Sequence, residues 1–419
     1  MKKFLFLTAT ALIGFVFWQC SDSSTNPDKE VRELTAPEKS LAQSSNKFGL
    51  KLFGEIAAGQ QNSNIFISPL SVSMALGMTY NGADGETKDA MEETLELQGL
   101  SLEEINQSYQ SLIELLTGLD PRVIFEIANS IWYREGFLVL QDFIDLNQEY
   151  FDAEVAALDF GSNEAAGTMN GWVDEKTHGK ISKIIQPPIN PLTMMFLINA
   201  IYFKGDWTYQ FEKTATKEED FYLEGGGSDR CLLMSQNEEF SYFSNEMFQA
   251  IDLPYGDSDF SMTIFLPQMY AGVTTDDVIA AVNSENLETW LGSFQKREVD
   301  LYLPKFELEY KIKLNDVLTA LGMGIAFNMY NADFTRMYES EEYDQNLYIS
   351  QVLHKTYVKV DEEGTEAAAV TVVEMTLTSA QPDTPVVMRI DHPFVFLIRD
   401  HHSNTILFMG KIINPGIPE

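Results

Sequence analysis

The sequence predicts an α+β protein with large, mostly antiparallel sheets. Two observations carry this. Helical patterns crowd the first half of the chain, and strand patterns separated by turn residues fill the second. Few strand–helix–strand units alternate between them, which argues against a parallel, doubly wound sheet. The 419 residues are 45% hydrophobic, with charge spread throughout, so the chain is globular and can bury a large core. There is no internal repeat, no low-complexity segment and no composition break that would divide the body into two domains.

The N-terminus is a leader in plan. Lys2 and Lys3 precede an apolar run from Phe4 to Trp18, too short for a comfortable membrane span. Cys20 closes the run and resembles the lipid-accepting cysteine of bacterial lipoproteins, although Trp18 and Gln19 stand where small residues are usual. Residues 1–20 are therefore read as a lipoprotein-type signal peptide, with plain signal cleavage as the alternative. Residues 21–40 are polar, contain Pro27 and Pro37, and read as a tether. The folded domain is expected over 41–419. Cys231 is the other cysteine, so a lipidated Cys20 leaves no internal disulfide and Cys231 is expected as a packed free thiol.

Each element follows from its local pattern. Phe48, Leu52, Phe53 and Ile56 fall on one helical face. Ile65–Ile67 reads as a short buried strand. Ser68 then Pro69 is a helix start, a hydroxyl cap followed by a proline whose missing N–H costs nothing there. Val72–Tyr80 is apolar nearly all round, which predicts a buried helix. Residues 102–117 and a segment near Gln141–Phe151 follow as helices. FLINAIYFKGDW begins as a continuous apolar run, the pattern of a strand covered on both faces. FSYFSNEMFQAIDLPY, FSMTIFLPQ and VDLYLPKFEL read as strands, and HPFVFLIRD and NTILFMGKI as two strands around a DHHSN turn.

Charge and motif content exclude several functions. A formal net charge of −35 makes nucleic acid a poor partner, since phosphate binding needs clustered Lys and Arg. The histidines His178, His354, His392, His401 and His402 form no metal-spaced pair, and His401–His402 in the terminal turn reads as solvated. No GxSxG elbow and no phosphate loop occurs. No cofactor is expected.

NIFISPLSVSMAL, FLINAIYFKGDW, LYLPKFEL, LHKTYVKVDEEGTEAAA, HPFVFLI and LFMGKIINP stand in the order and spacing of one family. The chain resembles the serpins, from about Lys47 to Pro415. The resemblance implies helices packed around three β-sheets and an exposed reactive-centre loop, here about residues 362–385. A protease cuts that loop as a substrate. The N-terminal part of the loop then inserts into the central sheet as a new strand, and the acyl-enzyme is trapped before it hydrolyses.

The stretch EEGTEAAAVTVVEMTLTS meets that demand. Its second half favours a strand, while its first half is small enough to slip between paired strands. With period-two alternation, Thr365, Ala367, Ala369, Thr371, Val373 and Met375 share an uncharged face and Glu366 and Glu374 take the other. A one-residue slip would bury both acids. In this reading the hinge comprises Glu362, Gly364, Thr365, Glu366, Ala367, Ala368 and Ala369. In inhibitory serpins the hinge glycine lies fourteen residues before the residue that enters the primary pocket. From Gly364 this places the reactive bond at Thr378–Ser379, with Leu377–Thr378 as the alternative. No Lys or Arg occurs between Lys359 and Arg389, so the expected partners are serine proteases with small or medium apolar pockets, elastase-like or subtilisin-like.

The resemblance also assigns individual positions. Asn64, Ser68, Ser71 and His354 match the family's shutter, a hydrogen-bond cluster beneath the sheet. Lys305 and Glu362 match an ion pair at the breach where the loop enters, and Trp207 matches the tryptophan packed nearby. The helix at 102–117 carries Glu103, Glu104 and Glu114 and no basic residue, which argues against activation by heparin. The expected protein is an exported, monomeric inhibitor rather than an enzyme, lipid-anchored to a bacterial membrane or cell surface or otherwise secreted. A non-inhibitory surface binding or carrier serpin is the alternative.

Overall fold

The computed structural model describes residues 31–343, 346–365 and 385–418. Cys20, Glu366, Ala367, Ala368, Ala369, Leu377, Thr378 and Ser379 lie outside these. Residues 31–33, the described end of a unit Met1–Glu33, carry no helix or strand, and the folded body is the unit Leu34–Glu419.

Helix α1 (Ala36–Gly59) starts inside the stretch read as a tether. The Thr35 hydroxyl accepts from the Glu38 amide, and the Glu38 carboxylate accepts from the Thr35 amide at 2.6 Å. Pro37 sits in the first turn, where a proline removes no helix hydrogen bond. The proline that suggested a linker is thus part of a capped helix start, and the boundary moves from about residue 40 to Thr35.

β1 (Ile65–Ile67) leads through the Ser68 cap into α2 (Pro69–Tyr80), which is buried almost all round. α3 (Gly85–Thr94) and α4 (Leu102–Thr117) follow. Then come β2 (Val123–Arg134), α5 (Gln141–Phe151), β3 (Glu154–Leu158), α6 (Asn163–Lys176) and β4 (Met195–Asp206). The strand-rich half holds β5 (Lys217–Tyr222), β6 (Ser228–Ser244), β7 (Phe248–Tyr255) and β8 (Phe260–Pro267). After α7 (Thr275–Ala281) and α8 (Ser284–Leu291) it continues with β9 (Gln295–Pro304), β10 (Phe306–Lys313) and β11 (Leu353–Val360). The two-residue β12 (Gly364–Thr365), β13 (Val386–Arg389), β14 (Phe394–Asp400) and β15 (Ile406–Ile412) complete it.

Hydrogen bonding joins the described strands into two sheets. The nine-stranded one turns on the long β6, which pairs with β7 through Ser241–Ser244 and with β9 through Leu233–Tyr242. It is in effect two sub-sheets sharing that strand, so the three sheets of the expected architecture are present with two of them continuous. The six-stranded sheet runs β10-β11-β12-β4-β2-β3. One of its faces is covered by α6, where Trp132, Trp172, Ile198 and Ala200 pack together. On the other face Asn199 of β4 reaches Met74 of α2. β4 is therefore covered on both sides, as its unbroken apolar sequence requires.

Candidate functional site

Among the described residues, β12 alone stands between β4 and β11. Gly364 pairs with Asp206, and Thr365 pairs with Gly205 on one side and Val360 on the other. Below Thr365, among the described residues, no ladder joins β4 to β11. Beyond β12 the described residues of β4 and β11 are thus not paired to each other, an arrangement that a sheet interior ordinarily avoids.

The turn into β12 is tightly built. The Asp361 amide donates to the Gly364 carbonyl at 3.0 Å, and the Asp361 carboxylate accepts from the Glu363 amide at 3.0 Å. A side chain on Gly364 would collide with the Gly205 carbonyl, so the close approach of β12 to β4 requires a glycine there. Thr365 is buried, and its hydroxyl lies 2.6 Å from the Tyr255 hydroxyl. Tyr255 in turn stacks on Trp207 at 4.5 Å between ring centroids.

Trp207 braces this turn through its indole N–H, which donates to the Asp361 carbonyl at 3.0 Å, and its amide, which donates to the Glu363 carbonyl at 2.8 Å. Glu362 is buried, with one carboxylate oxygen 2.7 Å from Lys305 Nζ and the other accepting from the Thr216 hydroxyl at 2.7 Å. Burial alone would raise the Glu362 pKa. Lys305 and Thr216 outweigh it and hold the carboxyl below its ordinary value. Glu363 pairs with Lys213 on the outside. Glu362, Lys305, Trp207, Gly364 and Thr365 are thus gathered at one end of the sheet.

A second cluster lies deeper along β11. The Ser68 amide donates to His354 Nε2 at 3.0 Å, and the Ser68 hydroxyl donates to the Leu407 carbonyl at 2.7 Å. The Ser71 amide donates to Ser68 Oγ at 3.2 Å. His354 is buried, and burial pushes its pKa down to about 4, so the ring stays neutral and accepts. The next inward residue of β11, Thr356, donates to the Phe66 carbonyl at 2.5 Å. Asn64 stands apart from these bonds and holds the C-terminal segment, accepting from the Ile413 amide and donating to the Asn414 carbonyl.

Sequence reasoning missed several members. Tyr255, Thr216 and the Asn199–Asn129 pair at 2.8 Å reach the site only through contacts made by folding, and none sits in a local pattern that marks it. His401 is exposed, as expected of the turn, and its Nε2 also lies 2.7 Å from Ser261 Oγ and 3.3 Å from Asp252 Oδ2, next to Arg399. The turn folds back over a buried carboxylate that needs partners. This Ser–His–Asp set is no catalytic relay, because hydroxyl and carboxylate meet the same imidazole nitrogen and Ser261 is fully buried.

A model of the serpin (serine protease inhibitor) family matches residues 43–415. The chain belongs to the serpin family. It is 34% identical over 384 residues to the leukocyte elastase inhibitor of Sus scrofa, covering 90% of this chain and 99% of that protein. Among solved structures, the native state of the thermophilic serpin tengpin superposes with a TM-score of 0.81 at 32% identity, over 92% of this serpin and 96% of tengpin. Human thyroxine-binding globulin in complex with thyroxine gives the same TM-score, 0.81, at 28% identity over 91% and 100% of the two chains. The family therefore holds both protease inhibitors and carriers, and members of both kinds are similar to this chain.

Proposed function

We propose that this serpin is a suicide-substrate inhibitor of serine proteases. Cleavage at Thr378–Ser379, or at Leu377–Thr378 in the alternative, releases residues from Glu366 onward to extend β12 between β4 and β11. The observation that carries this reading is the pairing of Thr365 to both strands and of Gly364 to β4, with no ladder joining those strands among the described residues.

The register supports it. Continuing β12 antiparallel to both neighbours brings positions 367, 369 and 371 level with Val358, Thr356 and His354, the buried residues of β11. These are Ala, Ala and Thr, small and uncharged. Position 366 comes level with Lys204 on β4 and Lys359 on β11, so Glu366 would lie between two lysines on the other face. Roughly ten new ladder hydrogen bonds at about 1 kcal/mol net each would be of the order of a whole domain's stability.

Likeness to the leukocyte elastase inhibitor and the absence of Lys and Arg between 359 and 389 support an elastase-like or subtilisin-like target. The same reading has the protein exported and anchored through a lipid on Cys20, acting outside the cell as a monomer. The carrier alternative draws on likeness to thyroxine-binding globulin; the small, uncharged inward face of 367–371 favours inhibition over it.

The test is thermal unfolding before and after the loop is nicked by a protease that cuts within residues 370–380. Insertion predicts a midpoint raised by tens of degrees. An unchanged midpoint would show that cutting the loop does not lead to insertion.

A further inference from the structure

We propose that the segment leaving α6, residues 177–184, is a strap across the insertion path, and that His178 makes it pH-sensitive, so that acid slows insertion. The inference rests on the proposed function. The strap is held on both strands that flank β12. Toward β4, the His178 ring packs on Tyr202 at 4.3 Å between ring centroids, and its Nε2 lies 2.8 Å from Glu126 Oε2 of β2. Toward β11, Lys180 Nζ stands 5.2 Å from the centroid of the Tyr357 ring, and Lys355 Nζ donates to the Lys183 carbonyl at 3.3 Å. The register sets these anchors against the entering strand. Continuing β12 brings position 368 level with Tyr202 and Tyr357, the two rings on which the strap rests. A strand seated between them takes up roughly 4.8 Å of sheet, so the strap has to release an anchor as the strand passes.

His178 is the anchor that pH can change. Glu126 and Tyr202 are directly opposite partners on β2 and β4, so one imidazole reaches both. A local turn presents the ring: His178 takes a left-handed φ of 50° and Gly179 one of 81°. A neutral imidazole gives Glu126 a hydrogen bond, and a charged one adds an ion pair at the same oxygen. Histidine gains its charge between about pH 8 and pH 5. The other charged groups on the elements around the ring are Asp174, Glu175 and Lys176 of α6, Lys180 of the strap and Lys204 of β4, and none of them is a histidine. Both His178 and Glu126 are half-exposed, so the ion pair tunes the strap rather than locking it.

The test is the ratio of molecules cut to molecules trapped, read on denaturing gels at about pH 8 and about pH 5.5 with the elastase-like or subtilisin-like protease that the full chain traps. His178→Asn removes the charge and suits the left-handed backbone, and Glu126→Gln removes the partner. On going to the lower pH, the parent's ratio is expected to rise about twofold relative to that of either variant. Comparing the chains at one pH cancels the protease's own response. The double variant should match the single ones, because each already lacks the pair. If His178→Asn does not fold, Glu126→Gln decides alone. A parent ratio that changes with pH just as the variants' ratios do would overturn the strap's pH sensitivity and leave the inhibitor standing. Absence of any trapped complex at both pH values would overturn this inference together with the proposed function.

Discussion

The Thr365 hydroxyl lies 2.6 Å from the Tyr255 hydroxyl, and this contact ties β12 of the six-stranded sheet to β7 of the nine-stranded one. Thr365 is the last described residue before position 366 and is already buried as a strand residue. In the proposed mechanism it is the residue from which insertion proceeds.

Thr365→Arg should therefore separate cleavage from trapping. A guanidinium is costly to keep at this buried position, so it should leave for water and draw β12 out of the sheet from which insertion would start. The variant is expected to be cut at the same bond as the parent and to form no covalent complex, read by denaturing gel and N-terminal sequencing. Thr365→Ser, which keeps the hydroxyl, should trap like the parent.

The Lys305–Glu362 pair should stabilise the turn that leads into β12. Removing the lysine leaves a buried carboxylate with Thr216 alone. Lys305→Ala is expected to cost about 1–3 kcal/mol in urea unfolding. Lys305→Ala with Glu362→Gln should cost less than the sum of the two single changes, because the charge left behind is gone.

Protonation of His354 should make the native form acid-sensitive. Its folded pKa is depressed from 6.5 to about 4, so the unfolded chain takes up a proton that the folded chain refuses. Stability from this group is complete above pH 6.5 and is lost as pH falls from 6.5 toward 4. Relative to His354→Asn, the parent is expected to lose about 2 kcal/mol between pH 7 and pH 4.5, measured as unfolding midpoints in urea.

Lys204 and Lys359 should steer Glu366. If insertion follows the β12 register, Lys204→Glu with Lys359→Glu places three acids side by side on one face of the sheet. More molecules of inhibitor should then be cut uselessly per protease trapped, and adding Glu366→Lys should restore the parent ratio. An unaltered ratio in the double variant would mean that the strand enters in another register.

Much of this molecule was legible from the chain alone. Buried helix α2, the Ser68 cap, the doubly covered β4 and the terminal hairpin follow from periodicity and turn residues, which are local signals. Residues that meet at the turn into β12 (Lys305, Glu362, Trp207) and around His354 (Ser68, Ser71) could be singled out because they lie in long motifs. What stayed hidden depends on distant segments meeting. Tyr255 meets Thr365 across 110 positions, and Thr216 meets Glu362 across 146. The contact of the exposed His401 with Asp252 was hidden for the same reason, since nothing near it in sequence announces that carboxylate. Pro37 was misread because a proline marks both a linker and a first helical turn, and only the Thr35–Glu38 capping box decides between them.

The most direct test of the central claim is a denaturing gel of this serpin after incubation with an elastase-like, a subtilisin-like and a trypsin-like protease. The account predicts a band at the summed mass with the elastase-like or the subtilisin-like enzyme, none with the trypsin-like one, and a released fragment that begins at Ser379. Complete cleavage of the loop by all three with no covalent band would contradict it.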